Sequence, residues 1–164
     1  MNDQQLQDHA SPPHAEQVRV QVRRLENFPA DWELPTYGTA GAAAVDLRNA
    51  GATVVIPPLG RVLVPTGLAI ALPEGTEAQI RPRSGLALRH GISIINTPCT
   101  IDSDYRGEIR IPIINFDPAP QTLAHGERIA QLLVARVARI VWEPAAELPA
   151  STRGGGGFGS TGRH

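Results

Sequence analysis

Between Pro29 and Gly126, proline and glycine interrupt this chain so often that a helix of ordinary length has nowhere to form. The sequence holds 15 Pro and 16 Gly in 164 residues. Apolar runs at Thr53 to Ile56, Arg61 to Val64, Leu68 to Leu72 and Ala78 to Ile80 are separated by Pro57, Pro58, Pro65, Gly67, Pro73 and Gly75. Short strands at such spacing predict an all-β sandwich or jelly roll. Val18-Arg19-Val20-Gln21-Val22 alternates strictly and predicts a first strand, and Pro35 to Gly41 predicts a loop. Ile129 to Trp142 is apolar with Arg136 and Arg139 interspersed, and its β-branched content favours a strand. Helical periodicity never exceeds about two turns. Gly85 to His90 is the exception, a single short helix with Ser84 placed as N-cap and Gly91 as stop.

The length fits one domain with a real core. Cys99 is the sole cysteine, so an intrachain disulfide and a cysteine zinc site are both excluded, which fits a reducing, cytoplasmic setting. No apolar run approaches the roughly 20 residues of a membrane span. Residues Met1 to Pro13 are polar and resemble neither a signal peptide nor a transit sequence, so residues 1–17 are expected to be a disordered extension. Net charge is −1, which argues against a global attraction to nucleic acid or membrane. All 15 basic residues are Arg, the side chain whose planar fork suits phosphate.

The richest chemistry lies in Asn96-Thr97-Pro98-Cys99-Thr100-Ile101-Asp102-Ser103-Asp104-Tyr105-Arg106-Gly107. It sits between two apolar runs and reads as the connection and flank of a β-hairpin. A plain polar turn would use the Asp and Ser residues but has no need of Tyr105 and Arg106. The segment could supply a general base, an amide edge to read a base, a ring to pack on a sugar and a positive charge.

Four more segments carry candidate chemistry. In Ala43-Ala44-Val45-Asp46-Leu47-Arg48, alternation turns Asp46 away from its apolar neighbours, toward a cleft or simply toward solvent. In Arg83-Ser84-Gly85, a guanidinium, a hydroxyl and the free amides of a helix start could hold an anion, or form an ordinary capped turn; His90 reads as surface or supporting. Gln131 is a neutral amide inside an apolar strand and needs partners from the protein or from a ligand. The tail from Arg153 to His164 contains six glycines and cannot fold alone. Its match to G-x-G-x-x-G is false on context, because no strand-to-helix unit follows. Phe158 among glycines, with Arg153 and Arg163 at the ends and Ser160 and Thr161 between, has the makings of a clamp that closes on a ligand.

Taken in order, these five segments resemble the five motifs of the trimeric deoxyuridine triphosphatases, over about residues 18 to 164. The most specific are Arg83-Ser84-Gly85, Thr100 to Gly107, and Arg153 to Gly162. Ala44 and Cys99 depart from the pattern, standing where that family often has Gly. The resemblance implies a β jelly roll over 18–150, a homotrimer with three sites shared between subunits, and a flexible arm, 151–164, closing over each site. It implies hydrolysis of dUTP to dUMP and pyrophosphate, which keeps uracil out of DNA and supplies dUMP for thymidylate synthesis. By position, Asp102 is the general base. Mg²⁺ is held mainly by the triphosphate, with Asp46 reaching it through water. Asn96 and the hairpin at Thr100 and Ile101 read uracil, and Tyr105 packs on the deoxyribose. Arg83, Ser84, Gly85 and Gln131 hold phosphates; Arg153, Gly159, Ser160 and Thr161 grip the γ end; Phe158 covers the base; and Arg128 supports the site. No stable nucleic-acid or membrane partner is implied.

Two rivals share some of these features. A dCTP deaminase would share the fold, but the Ser84-Gly85 pair and the Phe158 tail speak against it. An RNA-binding Arg-Gly-Gly tail leaves Asp102 and Tyr105 unexplained.

Overall fold

The structure, a computed structural model, describes residues 17–158 and 160; the expected N-terminal extension, apart from Gln17, lies outside them. The strands are β1 (Gln21–Arg24), β2 (Val45–Arg48), β3 (Val54–Ile56), β4 (Arg61–Ala71), β5 (Thr76–Pro82), β6 (Ile92–Ile94), β7 (Cys99–Ile101), β8 (Glu108–Asn115), β9 (Gln121–Leu123) and β10 (Arg128–Arg136), with one helix, α1 (Ser84–His90). They form sheets of order β1-β4-β8-β6 and β2-β10-β5-β7, plus the pair β3-β9, and every pairing is antiparallel. The expected all-β sandwich is therefore observed. Among the described residues no helix is long and apolar enough to cross a membrane.

Alternation builds the core. Thr76, Ala78 and Ile80 point inward from β5, and Ile109, Ile111 and Ile113 from β8. All of these except Thr76 meet Leu47, Val64, Ile92, Ile94 and Ile129 in one cluster. Each fully buried Ile contributes about 1.5–3 kcal/mol relative to exposure, and β-branching suits these side chains to a pleated surface.

Four expectations change in detail. The first strand starts at Gln21 instead of Val18, because its pairing with Leu68–Ala71 fixes its place. The runs at Arg61 and Leu68 are one strand, since β4 continues through Pro65, which pairs in register with Arg110, into a bulge where three residues, Thr66 to Leu68, face Ile109 alone. Gly67 makes the bulge possible: its φ is +69°, and a Cβ there would lie 2.8 Å from the backbone of Phe28. Arg83 is the helix N-cap, without a side-chain cap bond, and Ser84 is the first helical residue; Gly91 does end the helix, at φ 58°. The last strand stops at Arg136 instead of Trp142, because its partner β5 begins at Thr76, opposite Arg136. Beyond it Val137, Ile140, Val141 and Trp142 are exposed.

Candidate active site

Asn96 to Gly107 connects β6 to β8, which pair as the expected hairpin would. The connection is longer than a turn, however, because β7 lies within it and pairs with β5 in the opposite sheet. This detour carries Asp102 to the mouth between the sheets. There a cleft of about 370 Å³ is lined by Cys99, Thr100, Asp102, Tyr105, Glu108 and Leu63, among others. Ile101 turns its side chain into the core at 7% exposure, so only its backbone is available to a ligand. Asn96 is exposed in the preceding turn.

Local bonds shape the Asp102 loop. The Tyr105 amide donates to Asp102 O at 3.1 Å, and the Tyr105 hydroxyl donates to Glu108 O at 3.0 Å. The ring lies across Gly107 so closely that any Cβ there would collide with it, which is why glycine follows Arg106. Arg106 does not offer its charge to the cleft as the sequence suggests: its guanidinium donates to Ser103 O at 2.7 Å and Tyr105 O at 2.8 Å, bracing the turn. Among the described residues the Asp102 carboxylate accepts no hydrogen bond, and it stands exposed.

A second cluster forms where β2, β10 and the end of β5 meet. Gln131 pairs in register with Asp46 on one side and Arg81 on the other. Asp46 Oδ1 accepts from Arg83 Nε at 3.0 Å and Oδ2 from Arg128 at 3.1 Å. Arg83 also donates to Arg128 O at 3.0 Å. Gln131, Asp46, Arg128, Ala44 and Trp32 line a cleft of about 520 Å³, and the Gln131 amide has no side-chain partner among the described residues. Ser84 is exposed at the start of the helix, with Gly85 next to it. His90 is a surface residue, its Nδ1 3.2 Å from Gln121 Oε1.

The two clusters lie apart within one chain. The register Ala78 to Ile101, continued by one residue, sets Asp102 beside Glu77. Arg83 is six residues further along the same strand direction, roughly 20 Å at about 3.3 Å per residue.

In the arm, Arg153 Nε donates to Gly156 O at 2.7 Å. Phe158 is wholly exposed, and Ser160 is exposed as well. Gly159 and Thr161 lie outside the described residues. No group of three or more His, Cys, Asp or Glu side chains among the described residues could hold a metal. Sequence reasoning missed Glu108 and the pairing of Asp46 with Arg83, contacts that only the folded register creates.

Comparison with known proteins identifies the family. The dUTPase family profile matches residues 30–162. The deoxyuridine 5'-triphosphate nucleotidohydrolase of Anaeromyxobacter sp. (strain Fw109-5) is 53% identical over 146 residues, covering 89% of this chain and 99% of its own. That of Wolbachia pipientis wMel is 48% identical over 149 residues, covering 89% and 97%. Among solved structures, the Staphylococcus bacteriophage 80alpha dUTPase with dUpNHpp superimposes with a TM-score of 0.75 at 25% identity, covering 88% of this chain and 98% of the phage protein. A family match running from the loop before β2 into the arm, joined to relatives near half identity along almost their whole length, shows that the chain belongs to the dUTPase family.

Proposed function

We propose the following division of labour in this dUTP diphosphatase, whose reaction is hydrolysis of dUTP to dUMP and pyrophosphate. The observation that carries it is the separation of Asp102 from Arg83, Ser84 and Gln131 along β5. About 20 Å of strand separates Asp102 from Arg83 within one chain, and in this reading a neighbouring copy brings the two groups onto one nucleotide. In a closed ring of three copies each heterologous interface then holds one site. The body, 18–150, carries both halves, and the arm, 151–164, closes the site. The stretch after β10 exposes Val137, Ile140, Val141 and Trp142, apolar surface that in this reading a neighbouring copy covers.

Uracil enters the hairpin cleft, where Asn96 and the backbone of Thr100 and Ile101 read its edge. Tyr105 packs under the deoxyribose and leaves no room for a 2′-hydroxyl. Asp102 accepts a proton from a water as its oxygen bonds to the α-phosphorus; the α–β bridging P–O bond breaks and pyrophosphate leaves. A positioned base typically contributes about 10²–10⁴-fold. On the other subunit Arg83, Ser84, Gly85 and Gln131 hold the phosphates, and Arg128 steadies Asp46. From the arm, Arg153, Gly159, Ser160 and Thr161 grip the γ-phosphate while Phe158 covers the base.

The residues present suit Mg²⁺ held mainly by the triphosphate. Each Asp46 oxygen accepts one guanidinium bond and keeps a further lone pair, enough to reach the ion through water, as Mg²⁺ retains several waters. Bound there, the ion would neutralise charge on the phosphate oxygens. Cys99, a free thiol, suits a reducing cytoplasm, the compartment in which this reading puts the enzyme.

The test is pyrophosphate and ammonia release from dUTP, dTTP, dCTP and UTP with Mg²⁺ present. Pyrophosphate from dUTP alone supports the reading. Ammonia from dCTP would point to a deaminase instead.

A further inference from the structure

We infer that Glu108 is the positioning residue that holds Tyr105 in place on the sugar side of the cleft, an inference that rests on Tyr105 excluding the ribose 2′-hydroxyl. Tyr105 is 45% exposed, and among the described residues its hydroxyl has one partner, the main-chain carbonyl of Glu108. Where the ring sits therefore depends on where the first residue of β8 is held.

That residue pairs with Ala69 at the edge of the β4 bulge and is held there by its own side chain as well. The β4 bulge displaces Gly67 from the β4–β8 ladder, which removes the partner its amide would have had. Glu108 Oε1 accepts that amide at 2.9 Å and also accepts Asn27 Nδ2 at 2.8 Å. The side chain is only 20% exposed, so these charge-assisted bonds are partly shielded from water. Arg110 Nε, at 3.8 Å from Oε2, is too far for a hydrogen bond and contributes little. The carboxylate thus ties the start of β8 to the bulge of β4 and to the loop after β1. Its carbonyl passes that fixed position to Tyr105, whose ring lies across Gly107. A residue that merely satisfied the bulge amide would affect folding but would give no reason for sugar choice to change.

The experiment compares kcat/KM for UTP and dUTP in the full-length assembled enzyme, with thermal melting alongside. The variants are Glu108→Ala, Glu108→Gln, Asn27→Ala and, as a control, Tyr105→Ala. Glu108→Ala should raise the UTP to dUTP ratio at least about threefold. Asn27→Ala should move it the same way by less, and Glu108→Gln, which keeps the acceptor oxygen, should stay within about twofold of wild type. A ratio raised by Tyr105→Ala but unchanged in Glu108→Ala and Asn27→Ala overturns the inference while leaving the role of Tyr105 intact. A ratio unchanged in Tyr105→Ala overturns that role and the inference with it. Should Glu108→Ala fail to fold, Asn27→Ala decides, because it removes one donor to the same carboxylate without altering β8.

Discussion

Asp46 and Arg83 meet at 3.0 Å between Oδ1 and Nε, so the acid expected to reach a metal through water already holds a guanidinium expected to bind phosphate. With Arg128 on the other oxygen, Asp46 sets the direction in which two planar cations present their remaining donors. In the proposed reading Arg83 serves Asp46 through Nε and keeps its remaining donors for phosphate, with the carboxylate charge tuning how strongly it does so.

Asp46→Asn is expected to lower kcat/KM for dUTP by about tenfold, ~1.4 kcal/mol, and to raise the Mg²⁺ concentration needed for half-maximal rate. Its effect on stability should be about 1 kcal/mol or less, because the three side chains are partly exposed. Initial rates across a Mg²⁺ series, with a thermal melt, check both parts. An unchanged Mg²⁺ dependence would leave Asp46 as an arginine clamp alone.

Asp102→Asn should cut kcat by at least about 10²-fold while leaving nucleotide binding and melting close to wild type, since the amide keeps the shape but cannot take the proton. Single-turnover rates and calorimetric titration with a non-hydrolysable dUTP analogue separate the two. Retention of more than about a tenth of wild-type kcat would require another base.

The sequence exposed the sandwich well and the site unevenly, for reasons that differ by element. The inward Ile109, Ile111 and Ile113 of β8 and the helix stop at Gly91 follow from local rules that act within a few residues. The continuity of β4 through Pro65 was hidden, because the bulge that follows the proline depends on what Ile109 and Phe28 allow across the fold. Val137 to Trp142 looks like strand in sequence and is none here, since the ladder with β5 ends at Thr76 and only the Val137 amide bonds beyond it, to Gly75 O at 3.0 Å. Asp46 joins Arg83 and Arg128 across 37 and 82 residues of chain, a distance no local pattern spans. Arg106 turns one guanidinium nitrogen back onto two carbonyls of its own turn, a brace that residue type alone does not reveal.

Gly107→Ala should disturb sugar choice without unfolding the protein. The added methyl group collides with the Tyr105 ring, which can swing away because it is partly exposed. The UTP to dUTP ratio of kcat/KM should rise toward that of Tyr105→Ala, as steric exclusion relaxes when the excluding group is displaced. An unchanged ratio would mean that the ring is not the barrier.

Truncation after Ala150 should leave oligomeric state and melting unchanged, because none of the described arm residues belongs to the core. The loss should appear in kcat/KM for dUTP, by about 10²-fold or more if closure positions the reacting groups. Sedimentation and steady-state kinetics on the same preparation report the two quantities.

The central claim is that each site draws Asp102 from one subunit and its arm from another. The direct test mixes an Asp102→Asn chain with one truncated after Ala150, co-refolded in equal amounts and shown to be mixed by native mass measurement. Each parent alone is expected to be nearly inactive on dUTP. Random assembly of a closed ring makes about a quarter of the sites whole, one half for each of two independent subunit choices, so activity should recover to about a quarter of wild type. Mixed assemblies as inactive as either parent would contradict the account, and each chain would then have to complete its own site.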